Sequence, residues 1–303
     1  MKKIITLLVA LMTVRPFAVY ASGEQTFSET IDGSTFSYTV GNDMNATITD
    51  FSSDMTDIII PSSLGGYMVT AIGEKAFFGK ISLTSVTIPE GITYISDNAF
   101  SGCLFLEDVE LPETLTYMGK ECFTSCTALR NVKLSSSLSS LPERCFSSCT
   151  SLAEIDIPDS VVFIGAEAFF GCEDISGIFV PPTVEIIGDN AFGMHYNIRS
   201  NGIEKINNFR IRVLPESSAE TYAINNGIEI CNKLGDVNSD GFIDAVDASM
   251  VLIEYAELSI GGTSLFDQYQ NFVGDYNGDS MINADDATFI LIEYARLQTL
   301  PDT

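Results

Sequence analysis

Two short stretches carry side-chain oxygens at intervals that suit a hard cation. They are Asp236, Asn238, Asp240, Asp244 and Asp247 in one, and Asp275, Asn277, Asp279, Asn283 and Asp286 in the other. These residues stand at positions 1, 3, 5, 9 and 12 of a twelve-residue loop, and position 7, Phe242 or Met281, would add its backbone carbonyl. Ca²⁺ takes roughly six to eight oxygens at about 2.3–2.6 Å. One ion is therefore expected in each stretch.

The elements that must position these oxygens are duplicated with them. GDVNSDGFIDAVDASMVLIEYAELS from Gly235 and GDYNGDSMINADDATFILIEYARLQ from Gly274 are two copies of one segment. Each loop runs straight into one apolar helix, expected over 248–258 and 287–297. Three features depart from the ordinary EF-hand: Asp at position 12 where Glu is usual, no amphipathic helix expected ahead of either loop, and Ser280 where the tight turn favours Gly.

This loop-then-helix duplicate, with its terminal Asp, resembles the type I dockerin family over 235–298. The resemblance implies a small all-α module with two EF-hand-like loops holding two Ca²⁺ ions. It also implies a partner, a cohesin domain on a scaffolding protein, and hence recruitment to a cellulosome. Family members touch cohesin at loop positions 10 and 11, here Ala245, Val246, Ala284 and Asp285. Leu252, Ile253, Leu291 and Ile292 on the helices form a second candidate patch. Near-equivalent copies permit two docking orientations, although Val246 against Asp285 and Glu257 against Arg296 break the symmetry.

Ahead of the tail the sequence repeats every 23 residues, from Leu83, Leu106, Leu129, Leu152 and Ile175, with a less regular copy from about Thr56. LTSVTIP, LEDVELP, LRNVKLS, LAEIDIP and ISGIFVP each alternate as a short strand with one face buried. A second alternating run follows, then a short turn of helix around an Ala-Phe or Cys-Phe pair. Stacking such units predicts ladders of like residues: Phe77, Phe100, Phe123, Phe146, Phe169 and Phe192 in one, Cys103, Cys126, Cys149 and Cys172 in another. The unit best shown by 152–172 resembles the BspA-type leucine-rich repeat family. The resemblance implies a curved β-rich solenoid used in binding or surface attachment, and no reaction. The expected fold class is thus α+β: a leucine-rich-repeat solenoid over 56–197, capped by 24–55 and 198–231, then the all-α tail.

Composition limits the partners. A formal charge of −26 from 41 acidic and 15 basic residues excludes nucleic acid, which needs clustered Lys and Arg. Residues 1–21, with two lysines, an apolar run and Val19-Tyr20-Ala21, read as a secretory signal peptide. No apolar run is long enough to span a bilayer. Seven cysteines suit buried thiols better than a disulfide framework, although a bridge between Cys122 and Cys145 is geometrically conceivable. His195, the single histidine, has no nucleophile motif beside it and reads as a surface or capping residue. Tyr94, Tyr117 and Phe163 share one repeat position that alternation points outward, either as an exposed aromatic column or as cover for the neighbouring rung.

The expectation is a secreted, cellulosome-associated, non-catalytic protein. A calcium-dependent dockerin binds cohesin while the solenoid presents a surface to a protein or polysaccharide. The alternatives are a polysaccharide-degrading enzyme carrying a dockerin, or a surface adhesin or inhibitor.

Overall fold

The computed structural model describes residues 25–214, 216–232, 234–238, 240, 242–266, 268–276 and 281–298. The expected signal peptide lies outside them, as do the expected ligands Asn277 and Asp279.

Each 23-residue unit returns the chain to the same place one rung higher, so like residues pair across turns. Strands Asp57–Ile59, Ser85–Thr87, Asp108–Glu110 and Asn131–Lys133 form one parallel sheet, with Ser85 opposite Asp108 and Asp108 opposite Asn131. Their central residues, Val86, Val109 and Val132, are buried and their flanks exposed, the two-residue alternation of a half-buried strand. A second column consists of Tyr67–Ile72, Tyr94–Ile95 and Tyr117–Met118 in one sheet, and Ser140–Leu141, Phe163–Ile164 and Ile186–Ile187 in another.

The corner of each unit is not the expected turn of helix. Lys75, Asn98, Glu121, Arg144, Glu167 and Asn190, spaced by 23, all sit at φ between 53° and 58°, a left-handed conformation that stops a right-handed helix. The N–H groups of Phe77, Phe100, Phe123, Phe146 and Phe169 donate to carbonyls of Ala99, Cys122, Cys145, Ala168 and Ala191 on the next turn, at 2.7–2.9 Å. Hydrogen bonds that a helix would send four residues back run between rungs instead.

The predicted ladders are present. Phe77, Phe100, Phe123, Phe146 and Phe169 stack with ring centroids 4.8–5.5 Å apart and planes within 13°, an offset geometry that aromatic rings favour. Beside them the thiols of Cys103, Cys126, Cys149 and Cys172 donate to carbonyls of Phe77, Phe100, Phe123 and Phe146 at 3.1–3.3 Å.

At the N-terminal end, strands Thr26–Ile31, Ser34–Val40 and Asn45–Ser52 pair antiparallel, and the last pairs parallel with Tyr67–Ile72. Phe51 extends the ring column, 4.8 Å from Phe77. At the other end, helix α1 (Ser218–Asn226) starts on Ser217, whose side chain accepts from Glu220 N–H. Its Tyr222 meets the Phe192 ring edge-on at 4.6 Å and donates from its hydroxyl to the Phe192 carbonyl at 3.1 Å, covering the last rung.

Among its described residues the tail holds three helices: α2 (Ala245–Ser259), α3 (Gln268–Gly274) and α4 (Ala284–Gln298). Both long helices begin three residues earlier than expected; in α2 this follows because Asp244 caps the helix and closes a capping box with Asp247. No amphipathic helix was expected ahead of either loop, and the short helix α3 leads into the second. Its Val273 is fully buried among Val237, Ile243, Ala248, Val251, Ala287 and Ile290. Phe179, from strand Gly177–Phe179 of the solenoid, packs against this cluster.

Candidate calcium loops and recognition faces

In the first loop the carboxylates are held by local geometry. Asp247, fully buried, accepts from the N–H groups of Val237 (2.8 Å), Asn238 (3.1 Å) and Asp244 (2.8 Å). Asp244 accepts from Val246 N–H at 2.6 Å, and Asp240 from Phe242 N–H at 2.8 Å. Asn238 accepts from Asp240 N–H at 3.0 Å and donates from its amide to the Asp240 carboxylate at 2.9 Å. Asp236 is buried. Asp244 and Asp247 sit at the N-cap and third position of α2, where the helix dipole favours negative charge.

The second loop repeats the described part of this pattern. Asp286, also buried, accepts from Asn283 N–H at 2.9 Å, and Asn283 accepts from Asp285 N–H at 2.7 Å. Asp275 follows directly on the end of α3, and Met281, at position 7, is exposed.

Among the described residues no three His, Cys, Asp or Glu side chains converge on one point. In the first loop Asp240, Asp244 and Asp247 are turned onto loop N–H groups. The donor set is nonetheless that of a hard cation. Asp236, Asp240, Asp244 and Asp247 supply four carboxylates, and Asn238 an amide oxygen; no nitrogen or sulfur ligand stands among them.

The eight candidate cohesin contacts, Ala245, Val246, Leu252, Ile253, Ala284, Asp285, Leu291 and Ile292, are all exposed along α2 and α4. One residue of this region escaped sequence reasoning. Glu254 is fully buried and accepts from Ser264 hydroxyl (2.5 Å) and Leu265 N–H (2.8 Å), pinning the chain that leaves α2. Its counterpart Glu293 instead pairs with Arg296 at 2.6 Å. The LIEYA motif marks both glutamates alike; Ser264 beside the first and Arg296 beside the second distinguish their roles.

On the solenoid, Tyr94, Tyr117 and Phe163 are exposed, and the two tyrosine rings stack at 4.3 Å and 6°. For the two tyrosines both sequence readings hold at once, since their rings face outward and pack on each other across adjacent rungs. On the other strand column Asn131 donates to Asp108 at 2.8 Å and Lys133 pairs with Glu110 at 2.7 Å.

The cysteines are all free, six of them buried, and no bridge joins Cys122 to Cys145. Burial pushes the Cys103 and Cys172 thiols up to about 12, and those of Cys122, Cys126, Cys145 and Cys149 well above the usual range. They are inert core. His195 lies 3.0 Å from Glu173 through Nδ1, consistent with a surface role.

Comparison with known proteins agrees with this division. The family described as BspA type leucine rich repeat region matches six copies over 70–199, and the family described as dockerin type I domain matches 234–294. The crystal structure of a T. pallidum leucine-rich repeat protein is similar at 30% identity and TM-score 0.54, covering 60% of this chain and 80% of that one. A leucine-rich cell surface protein from Faecalibacterium prausnitzii A2-165 aligns at 19% identity, 64% and 72% coverage and TM-score 0.35. A leucine-rich repeat protein from Eubacterium ventriosum ATCC 27560 aligns at 19% identity, 52% and 47% coverage and TM-score 0.42. No curated protein matches the chain.

Proposed function

This chain belongs to the BspA-type leucine-rich repeat family and ends in a type I dockerin domain, and from these we propose that it is a secreted, non-catalytic component of a cellulosome. In this reading residues 1–21 direct export. Repeats over 56–197, capped by 24–55 and 198–231, present a recognition surface. Residues 235–298 bind a cohesin on a scaffolding protein.

The observation that carries the reading is the duplicated acidic loop, each copy leading into a helix whose outer face is apolar and exposed. Type I dockerin domains bind calcium. Two ions would be held here, one by Asp236, Asn238, Asp240, Asp244, Asp247 and the Phe242 carbonyl, and the other by Asp275, Asn277, Asp279, Asn283, Asp286 and the Met281 carbonyl. When bound, calcium offsets the mutual repulsion of the carboxylates and supplies folding free energy that the small core lacks. The chain's own part is to fix Asp244 and Asp247 on the helix cap, so that ordering the loop also orders the start of α2. Val246, Leu252 and Ile253, with Leu291 and Ile292, then offer the apolar centre that a stable interface needs.

Isothermal titration of the full chain against type I cohesin domains tests this. Binding is expected in millimolar calcium and is expected to vanish in excess EDTA. Equal affinity in chelator, or failure of every cohesin to bind, would reject the docking role.

A further inference from the structure

One repeat interrupts the second strand column. Along it the outward residues are Tyr94, Tyr117, Ser140, Phe163 and Ile186, so Ser140 removes a ring from between two others. Two residues on, Gly119, Gly165 and Gly188 donate from N–H to carbonyls of Ile95, Leu141 and Ile164 at 2.7–2.8 Å. A Cβ on any of these glycines would meet the backbone of the preceding turn at 2.3–2.4 Å. The equivalent residue in the interrupted turn is Pro142, which has no N–H to give. The sheet accordingly divides between Tyr117–Met118 and Ser140–Leu141.

The result is a recess of about 570 Å³ at the break, lined by Tyr117, Ser140, Phe163, Lys120, Glu143 and Asp189. That volume lies in the range of small-molecule sites. Tyr117 and Phe163 lie two turns apart, across one hydrogen-bonded step of about 4.8 Å and one step at which the sheet is divided, and one ring in van der Waals contact with both faces needs roughly 7–8 Å. The gap therefore has room for one ring. Its walls are apolar and its rim is charged, with Lys120 and Glu143 paired at 2.8 Å.

We propose that this recess is a subsite for one pyranose unit of a neutral glycan, held face-on between Tyr117 and Phe163. A pyranose has C–H groups on its faces and hydroxyls around its edge, which matches apolar walls and a polar rim. An aromatic side chain of a protein would fit the walls but leave the rim charges desolvated without new partners, at a cost. The rim has two carboxylates to one ammonium on a chain of net charge −26, which disfavours uronic acids. This inference deepens the reading of the solenoid as a recognition surface and rests on it.

The test uses the full chain in calcium, titrated by calorimetry with cellohexaose, mannohexaose, xylohexaose, maltohexaose and hexagalacturonate. At least one neutral oligosaccharide is expected to bind with Kd below about 1 mM, a threshold typical of weak single-subsite recognition. Tyr117→Ala and Phe163→Ala should each weaken it at least tenfold. Ser140→Tyr should abolish it by filling the gap, whereas Tyr94→Ala, outside the gap, should change it less than about threefold. Retained β-sheet circular dichroism and cohesin binding certify that each variant is folded. Binding that survives Ser140→Tyr, preference for hexagalacturonate, or no glycan binding at all overturns the proposal. Binding of the peptide Ac-Gly-Tyr-Gly-NH2 alone, lost in Ser140→Tyr, also overturns it, in favour of a protein side chain. Failure to bind cohesin would count against the docking role and leave the glycan result standing.

Discussion

The solenoid and the tail solve the problem of a fold built from repeats in opposite ways. In the solenoid each unit buries a phenylalanine, a leucine or isoleucine and, in several turns, a cysteine against the same residues above and below, and backbone N–H groups bind the next rung. Its stability accumulates turn by turn, as nearest-neighbour interfaces. The tail has only two copies, and its described core is seven side chains: Val237, Ile243, Ala248, Val251, Val273, Ala287 and Ile290. Its most deeply buried polar groups are carboxylates, Asp247, Glu254 and Asp286. Where the solenoid spends its repeats on apolar contact, the tail spends them on charge. A region of the second kind is expected to depend on a cation for its stability, and one of the first kind on its neighbouring rungs.

That contrast can be broken experimentally. The largest single-residue effect should come from removing one ring of the column. Phe123→Ala leaves a cavity between Phe100 and Phe146, fully buried on both sides, and is expected to cost about 3–5 kcal/mol. Denaturant melts of the full chain should show the β transition shifted and the tail's helical transition in place. A smaller effect is expected from alkali. The folded Cys103 and Cys172 thiols titrate at about 12 against an ordinary 9.0, so the unfolded chain loses these protons first. Their contribution is whole below about pH 9 and is lost progressively as pH rises toward 12. Stability of the solenoid measured across that window should fall less steeply in Cys103→Ala than in the parent chain. Smallest should be Ser217→Ala, which removes the cap of α1 and is expected to cost about 1 kcal/mol. It should loosen amide protection over 218–226 and leave the central rungs alone.

The parts of this organisation that repeat were legible in the sequence. The Phe and Cys columns follow from a period of 23, because stacking puts identical residues in register. The loop spacing and the long helices could be read because ligand positions are fixed by number. What escaped reading depends on contacts between one unit and the next, or between one domain and the next. The corners were expected as helical turns, yet Asn98, Glu121 and their equivalents adopt positive φ so that their neighbours can bind across rungs. Propensity favours a helix at Lys75, Glu121, Arg144 and Glu167, and the stacked neighbour overrides it, whereas Asn98 and Asn190 accept the left-handed conformation readily. Helix α3 was missed because QYQNFVG is too short to show a period, and it is held by Val273 in the tail's core. The packing of Phe179 against that core was equally hidden, since nothing in a repeat announces which turn will meet the next domain. The recess at Ser140 could have been found from sequence as the one break in an aromatic position that coincides with Pro142.

Peptide-resolved hydrogen exchange of the full chain, in calcium and in excess EGTA, tests the division between the two regions most directly. Peptides from 235–298 should lose protection when the cation is withdrawn, while peptides spanning 83–192 should exchange at the same slow rate in both conditions. Protection of the tail that is indifferent to EGTA, or a solenoid that opens together with it, would contradict the account.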